Sequence, residues 1–212
     1  MFSRISGRHK VAISLSLLLA ITACSDSSNN SSPVTPEPSP TYSADITWTE
    51  YGIPHITAAD FGSAGYGNGY AFASLNFCGL MREIVRANGQ TSLYFDDGGD
   101  VTRDFLYTWL NTDERIQRIF VDEQSEDIRD LNAGYVAGVN RYLEETGVDN
   151  LSEGEEGCRG KSWVRPITVL DLGKAMHKLV LRASADPLRD ITFAATPTQA
   201  LASRGEPVPV RR

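Results

Sequence analysis

The residues of this 212-residue chain whose types could do chemistry are three histidines, a run of alternating glycines and three cysteines. His9 lies in a basic N-terminal stretch, His55 in an extended segment and His177 inside a helical pattern. No two have the spacing of metal ligands and no H-E-x-x-H motif occurs, so a zinc enzyme is not expected. His55 reads instead as a structural, hydrogen-bonding residue of a hairpin. Gly65, Gly67 and Gly69 superficially suggest a phosphate loop. They lack the buried strand in front and the Lys-Ser/Thr behind that such a loop needs. Gly62-Ser63 leads into helix with no strand before it, which is the wrong setting for a nucleophile elbow. The residues by themselves therefore contain no complete catalytic constellation.

The N-terminus carries an address. Arg4, Arg8, His9 and Lys10 precede an apolar run from Val11 to Ile21, followed by Thr22-Ala23-Cys24. A basic head, a short apolar middle and a small-residue cleavage site are the parts of a secretory signal. The run is about half of the ~20 residues that span a bilayer, so a permanent transmembrane helix is not expected. Ile21-Thr22-Ala23-Cys24 resembles a lipobox, which predicts cleavage after residue 23 and a lipid on Cys24. Residues 24–43 are mostly Ser, Asn and Pro and read as a flexible tether. With Ser25 rather than an aspartate behind the cysteine, the expected location is the outer membrane, facing the periplasm. Cys78 and Cys158 then remain as an even pair in an oxidising compartment, read as a disulfide, with two separate buried thiols as the alternative. The net charge of −7, with no basic stripe, argues against a nucleic-acid partner.

The elements that must position these residues are mainly helical. Ile46 and Trp48 alternate, Tyr51-Gly52 breaks the chain, and Pro54-His55-Ile56-Thr57 extends it again, which predicts a hairpin. Asp60 caps a helical start. After the glycines a longer helix is expected, with Ala71, Leu75, Cys78, Met81 and Val85 facing inward and Gly89 as its stop. Each glycine inside a helix costs about 1 kcal/mol against alanine, so their density points to close helix packing. Asp96-Asp97-Gly98-Gly99-Asp100 reads as a turn, Phe105, Leu106 and Trp109 as another helix, and Asn111 with Glu114 as a capping pair for the next. Ser125 caps a long amphipathic helix through Ile128, Leu131, Tyr135, Val139 and Tyr142 to Gly147. Thr168 and Asp171 cap a last strong helix whose apolar face is Leu172, Ala175, Met176, Leu179, Val180 and Ala183.

Five segments, in order, resemble one family. They are Tyr51-Gly52-Ile53-Pro54-His55-Ile56-Thr57-Ala58, Gly65 to Ala73 (GYGNGYAFA), Gly89-Gln90-Thr91-Ser92-Leu93-Tyr94-Phe95, Gly134 to Asn140 (GYVAGVN) and Cys158 to Thr168 (CRGKSWVRPIT). Together they resemble the start of penicillin-acylase-type amidohydrolases, and the last two look most like the acyl-homoserine-lactone and aculeacin acylase branch. The resemblance implies an α/β, αββα N-terminal nucleophile hydrolase, made as a precursor that cuts itself into an α and a β chain. Residues 44–198 then correspond to an incomplete enzyme, its mainly helical α chain with a short N-terminal β-hairpin, and residues 199–212 are an atypical Pro/Arg tail. In such enzymes the β chain begins with a serine whose hydroxyl attacks an amide carbonyl while its own α-amine acts as base. No Gly-Ser-Asn junction of that kind occurs here. This leads to the expectation of an α-chain portion that is inactive until a β chain supplies the nucleophile.

The resemblance further implies that the last strong helix helps line an acyl pocket, through Met176, Leu179, Val180 and Ala183. No cofactor is needed for the chemistry. A structural calcium is possible, with Asp190 near the place of an α-chain ligand. The implied substrate is an acylated amide: a β-lactam, an acyl-homoserine lactone or a lipopeptide. Two alternatives are a truncated fragment without function and a non-catalytic lipoprotein that binds acyl ligands or a protein partner.

Overall fold

A computed structural model describes residues 41–96, 98–151 and 157–195. The expected signal segment, Cys24, the tether up to residue 40 and the Pro/Arg tail lie outside the described residues. The tether's last residues are described and lie on the next helix, with Ser43 N donating to the Ser63 hydroxyl at 3.3 Å and the Tyr42 and Tyr66 rings stacked at 6.1 Å. The described residues begin with two antiparallel strands, β1 (Ala44–Trp48) and β2 (Pro54–Ala58). Their register sets Ile46 against Ile56 and Thr47 against His55. Gly52, with φ of +75°, makes the turn, a conformation that glycine adopts without steric cost. The Thr49 hydroxyl accepts a bond from Ile53 N at 3.1 Å and closes it. Hairpin and glycine break are where the alternation predicts them.

A single helix, α1 (Phe61–Ala87), follows. It starts ahead of the glycines rather than after them, because Asp60 accepts from Ser63 N at 2.6 Å and caps the first turn. Gly89, at φ +65°, ends it as expected. Asn76 interrupts it with non-helical φ/ψ of −153° and 45°. The break shifts the helical phase, so Phe77 rather than Leu75 points inward: Phe77 is fully buried and Leu75 is 58% exposed.

Short helices α2 (Thr91–Tyr94), α3 (Val101–Leu110) and α4 (Asp113–Gln117) lead into one π-helical turn, Arg118–Asp122. The cap of α4 is Thr112, not Asn111. Asn111 is buried and bridges elements instead, donating to Ala87 O at 2.8 Å and Lys174 O at 3.3 Å. Helix α5 (Glu126–Thr146) starts after Ser125 and ends at Gly147, as its pattern predicts, although Ser125 makes no side-chain cap bond. Helix α6 (Val169–Leu181) has the predicted capping box: the Thr168 hydroxyl accepts from Asp171 N, and the Asp171 carboxylate accepts from Thr168 N. A further helix, α7 (Arg189–Ala194), lies against α3, with Phe105 and Phe193 edge to face at 5.6 Å.

The centre of the fold is the crossing of α1 and α5, where the glycines meet backbone. A Cβ placed on Gly65 would lie 2.9 Å from the carbonyl carbon of Leu131, and one on Gly69 2.8 Å from that of Tyr135. In return, a Cβ on Gly134 would lie 2.7 Å from the carbonyl carbon of Gly62, and one on Gly138 2.7 Å from Tyr70 N. The two helices thus approach until their backbones touch. Next to the crossing, Phe77, Met81, Ile84 and Val85 pack with Val139 and Leu143 of α5 and with Leu151, Trp163, Val164 and Ile167 of the following loop. Cys78 and Cys158 are both buried in this same cluster. Among the described residues, no helix is long and apolar enough to cross a membrane.

Candidate functional site

Helix α6 buries its polar side. Its buried residues are Asp171, Gly173, Lys178 and Leu181, while Met176 is 48%, Leu179 52% and Val180 64% exposed. Ala183, past the end of the helix, is also exposed. The apolar stripe therefore lies largely outside the core, and polar bonds hold the opposite side.

Those bonds run the length of the helix. At its start, Arg165 grips Asp171 through two 2.8 Å contacts, the bidentate geometry that makes such pairs strong. Asn140 of α5 holds the adjoining loop, donating to Ile167 O at 2.9 Å and accepting from Ile167 N at 2.7 Å. Midway, Lys174 donates to Asn88 at 2.9 Å and pairs with Asp113 at 2.6 Å. His177 Nδ1 lies 2.7 Å from Asn111 Oδ1. Near its end, the buried Lys178 ammonium meets Glu83 of α1 at 2.6 Å.

Burial by itself would raise the pKa of both carboxylates, but their cationic partners outweigh it. Asp171 is held down to about 2 by Arg165 and the Thr168 bonds, and Glu83 is lowered by Lys178 and Arg86. His177 is lowered by burial and by nearby Arg115. Both acids stay ionised at neutral pH, so neither is available as a general acid.

Between α6 and the kinked part of α1 lies an open groove of about 460 Å³. Its apolar walls are Phe72 and Leu80 of α1, Tyr135 of α5, and Leu172, Met176 and Leu179 of α6. Asn76 and Gly79 border it too; the Asn76 side chain folds over Gly79, where a Cβ would lie 2.8 Å from Asn76 Nδ2. A second cavity of about 260 Å³ shares Tyr135, Leu172 and Met176 and continues past Gly65, Asn68 and Leu131. Burial pushes the Tyr135 phenol up to about 12, so it remains neutral and serves as wall rather than base. Among the described residues, neither lining contains a serine, threonine or cysteine. The arrangement can take up an apolar chain and supplies no nucleophile to it.

Two of the four expected pocket residues, Met176 and Leu179, border this groove, whereas Val180 and Ala183 do not appear in its lining. Phe72 and Leu80 escaped the sequence reading because the Asn76 break carries no periodic signal. Tyr135 and Leu172 were legible only as packing positions. His55 is exposed on β2, away from the groove, and makes no side-chain hydrogen bond among the described residues, contrary to its expected structural role. Asp190 is 77% exposed at its side chain and pairs with Arg189 at 3.8 Å. Among the described residues, no group of three or more His, Cys, Asp or Glu is arranged to hold a metal. The carboxylates described here do not by themselves fit a calcium site.

A two-stranded hairpin, a long helix crossed at its glycines and an open apolar groove make up a known arrangement. The chain belongs to the penicillin amidase family, whose model matches residues 43–196. Among its relatives, the aculeacin-A acylase of Actinoplanes utahensis is 38% identical over 175 residues, covering 78% of this chain and 22% of that protein. The acyl-homoserine lactone acylase PvdQ of Pseudomonas fluorescens Pf-5 is 37% identical over 171 residues, covering 77% of this chain and 21% of the other. This chain thus spans about a fifth of the length of the curated relatives it matches. Its fold matches the thermostable penicillin G acylase from Alcaligenes faecalis with a TM-score of 0.58 at 23% identity, covering 78% of this chain and 83% of that one. The mostly helical architecture with its N-terminal hairpin is accordingly that of the family's α-chain region.

Proposed function

We propose that this chain is the α-chain portion of an exported, lipid-anchored amidohydrolase that splits the carbon–nitrogen amide bond of an acylated substrate. The observation that carries the reading is the groove: apolar, open, free of nucleophilic side chains, and set on a helix fastened by its other face. An apolar acyl group fits such walls, and each CH₂ moved out of water contributes about 0.8 kcal/mol. The chemistry itself comes from a β chain with an N-terminal serine. Its hydroxyl attacks the amide carbonyl carbon, its α-amine takes the hydroxyl proton, and the proton passes to the departing amine as the carbon–nitrogen bond breaks. Water then attacks the resulting ester and releases the acid. An α-amine titrating at about 8 is suited to this work near neutral pH.

The aculeacin-A and acyl-homoserine lactone acylases among the relatives point to a lipopeptide or an acyl-homoserine lactone as substrate, with a β-lactam as the third class. Cys24 anchors the chain to the outer membrane, facing the periplasm, so the β chain must reach the same compartment. Calcium, if used, needs carboxylates from that second chain to complete its shell.

The test is to produce the chain alone and together with the β chain encoded by any adjacent reading frame, then assay release of free amine from all three substrate classes. Activity is expected only from the pair. Hydrolysis by the isolated chain would overturn the division of labour, and failure of every β candidate to assemble would favour a fragment or a non-catalytic binding lipoprotein.

A further inference from the structure

On the other side of Arg82 and Arg86 from the helix-borne groove, a second pocket of about 400 Å³ opens between α1, the segment after α2 and the loop before α6. Its lining includes Arg82, Arg86, Lys161, Phe95 and Trp163, with Asp96 as the one carboxylate among its described residues. Three cations therefore face one cavity in a chain whose net charge is −7. Gathering like charges costs free energy unless something of opposite sign is nearby.

Two of the cations are also held in place. The Arg82 guanidinium lies 5.3 Å from the centre of the Phe95 ring and 5.9 Å from that of Trp163, and those two rings meet edge to face at 5.5 Å. Arg86 lies 5.9 Å from the same Phe95 ring while also pairing with Glu83. Gly157 brings loop backbone up to Arg82: a Cβ there would lie 2.7 Å from Arg82 Nη2. A guanidinium stacked on aromatic faces keeps its N–H edge available, and that edge matches the paired oxygens of a carboxylate or phosphate. Because the rings fix the side chain beforehand, less conformational entropy is lost when an anion binds.

We propose that Arg82, Lys161 and Arg86 form an oxyanion-binding site, with Arg82 as its bidentate centre and Phe95 and Trp163 as the clamp that orients it. Arg82 and Arg86 also border the α6 groove, but the site does not depend on the amidohydrolase reading, since none of its residues is assigned a part in amide cleavage. Its ligand is a phosphate or carboxylate group, free or carried on a larger molecule.

Calorimetric titration of the full chain with inorganic phosphate, at ionic strength matched with chloride, tests this. Saturable binding is expected, weakened about tenfold or more by Arg82→Met and severalfold by Lys161→Met. Arg82→Lys keeps the charge but loses the fork, and it should also bind less well than the unaltered chain. Arg118→Met, at an exposed arginine paired with Glu123, should bind as the unaltered chain does. Sodium acetate in a parallel titration separates the two sources: equal binding of acetate points to carboxylates, and binding of phosphate alone points to phosphates. Circular dichroism of each variant guards against misfolding, and the exposed Lys161 gives a reading even if Arg82 variants fold poorly. Absence of saturable binding of either anion above the chloride background would overturn the proposal, as would equal affinities in Arg82→Met and Arg118→Met.

Discussion

Helix α1 makes two contacts of opposite kind. Against α5 it is bare: glycines on both helices bring backbone to backbone, with apolar side chains filling the space beside the crossing. Against α6 it is polar: the Lys178–Glu83 pair and the Asn88 bridge to Asp171 hold the two together, while apolar Met176 and Leu179 look outward. The first contact satisfies itself within this chain. The second leaves its apolar side uncovered, because an ion pair at 2.6 Å fixes orientation without using apolar area.

The sharpest way to break the first contact is to add a side chain at the crossing. Helix propensity alone predicts that replacing a mid-helix glycine stabilises by up to about 1 kcal/mol. At Gly134 the opposite sign is expected, since any Cβ there overlaps the Gly62 carbonyl. Gly134→Val should cost about 4 kcal/mol or more, enough to abolish cooperative thermal unfolding. A variant as stable as the unaltered chain would show that the helices are not in backbone contact.

A somewhat smaller effect concerns the core beside the crossing, which holds Cys78 on α1 and Cys158 on the loop leading to α6. In an oxidising compartment we expect the chain to carry a disulfide between them. Its reduction should then lower stability by about 2–4 kcal/mol through the long loop it closes. Alkylation and mass measurement with and without reductant check this, and full alkylation without reductant would remove the expectation.

The polar contact has a pH signature of its own. Asp171 has a folded value of about 2 against an ordinary 3.8. The folded state therefore holds its proton less tightly than the unfolded state does. The stability this confers is fully present above the ordinary value and is lost as pH falls through about 2. It amounts to about 2 kcal/mol, and Asp171→Asn should remove it together with that part of the acid limb. Denaturant midpoints measured between pH 2 and pH 7 will show it. His177 acts in the same direction at higher pH. Its lowered value means that acidification through the ordinary histidine range destabilises, and His177→Gln should flatten that smaller slope.

How far the sequence could be read differs along the same divide. The hairpin, Gly89, Gly147 and the Thr168–Asp171 box were legible because each is a local rule, met within a few residues. The crossing was legible in outline, since glycine in a helix needs a steric reason. What stayed hidden depends on distant partners. Lys178 meets a carboxylate 95 residues earlier, and a lysine in a helical pattern otherwise signals solvent. Once Lys178 and Asp171 point inward, the apolar stripe between them must point out, so the outward apolar face of α6 follows from a pair that no periodicity reveals. Asn76 is similar: its break changes which of Leu75 and Phe77 is buried, yet an asparagine in a helix leaves no mark on the apolar spacing. Asn111 has a cap's residue type but serves as a bridge between α1 and α6.

The last expected effect is the smallest on this chain and the most telling for the comparison. If the α6 stripe is there for a partner or an acyl chain, polar substitution should leave the isolated chain nearly unchanged, because an exposed side chain has little apolar contact to lose. Leu179→Ser, at a position 52% exposed, is expected to shift unfolding by no more than about 0.5 kcal/mol. The same change should weaken assembly with a β chain or raise the KM for long acyl amides, since Leu179 borders the groove. Loss of several kcal/mol in the isolated chain would instead make the stripe a core face after all. It would also return the α6 contact to the same kind as the α5 crossing.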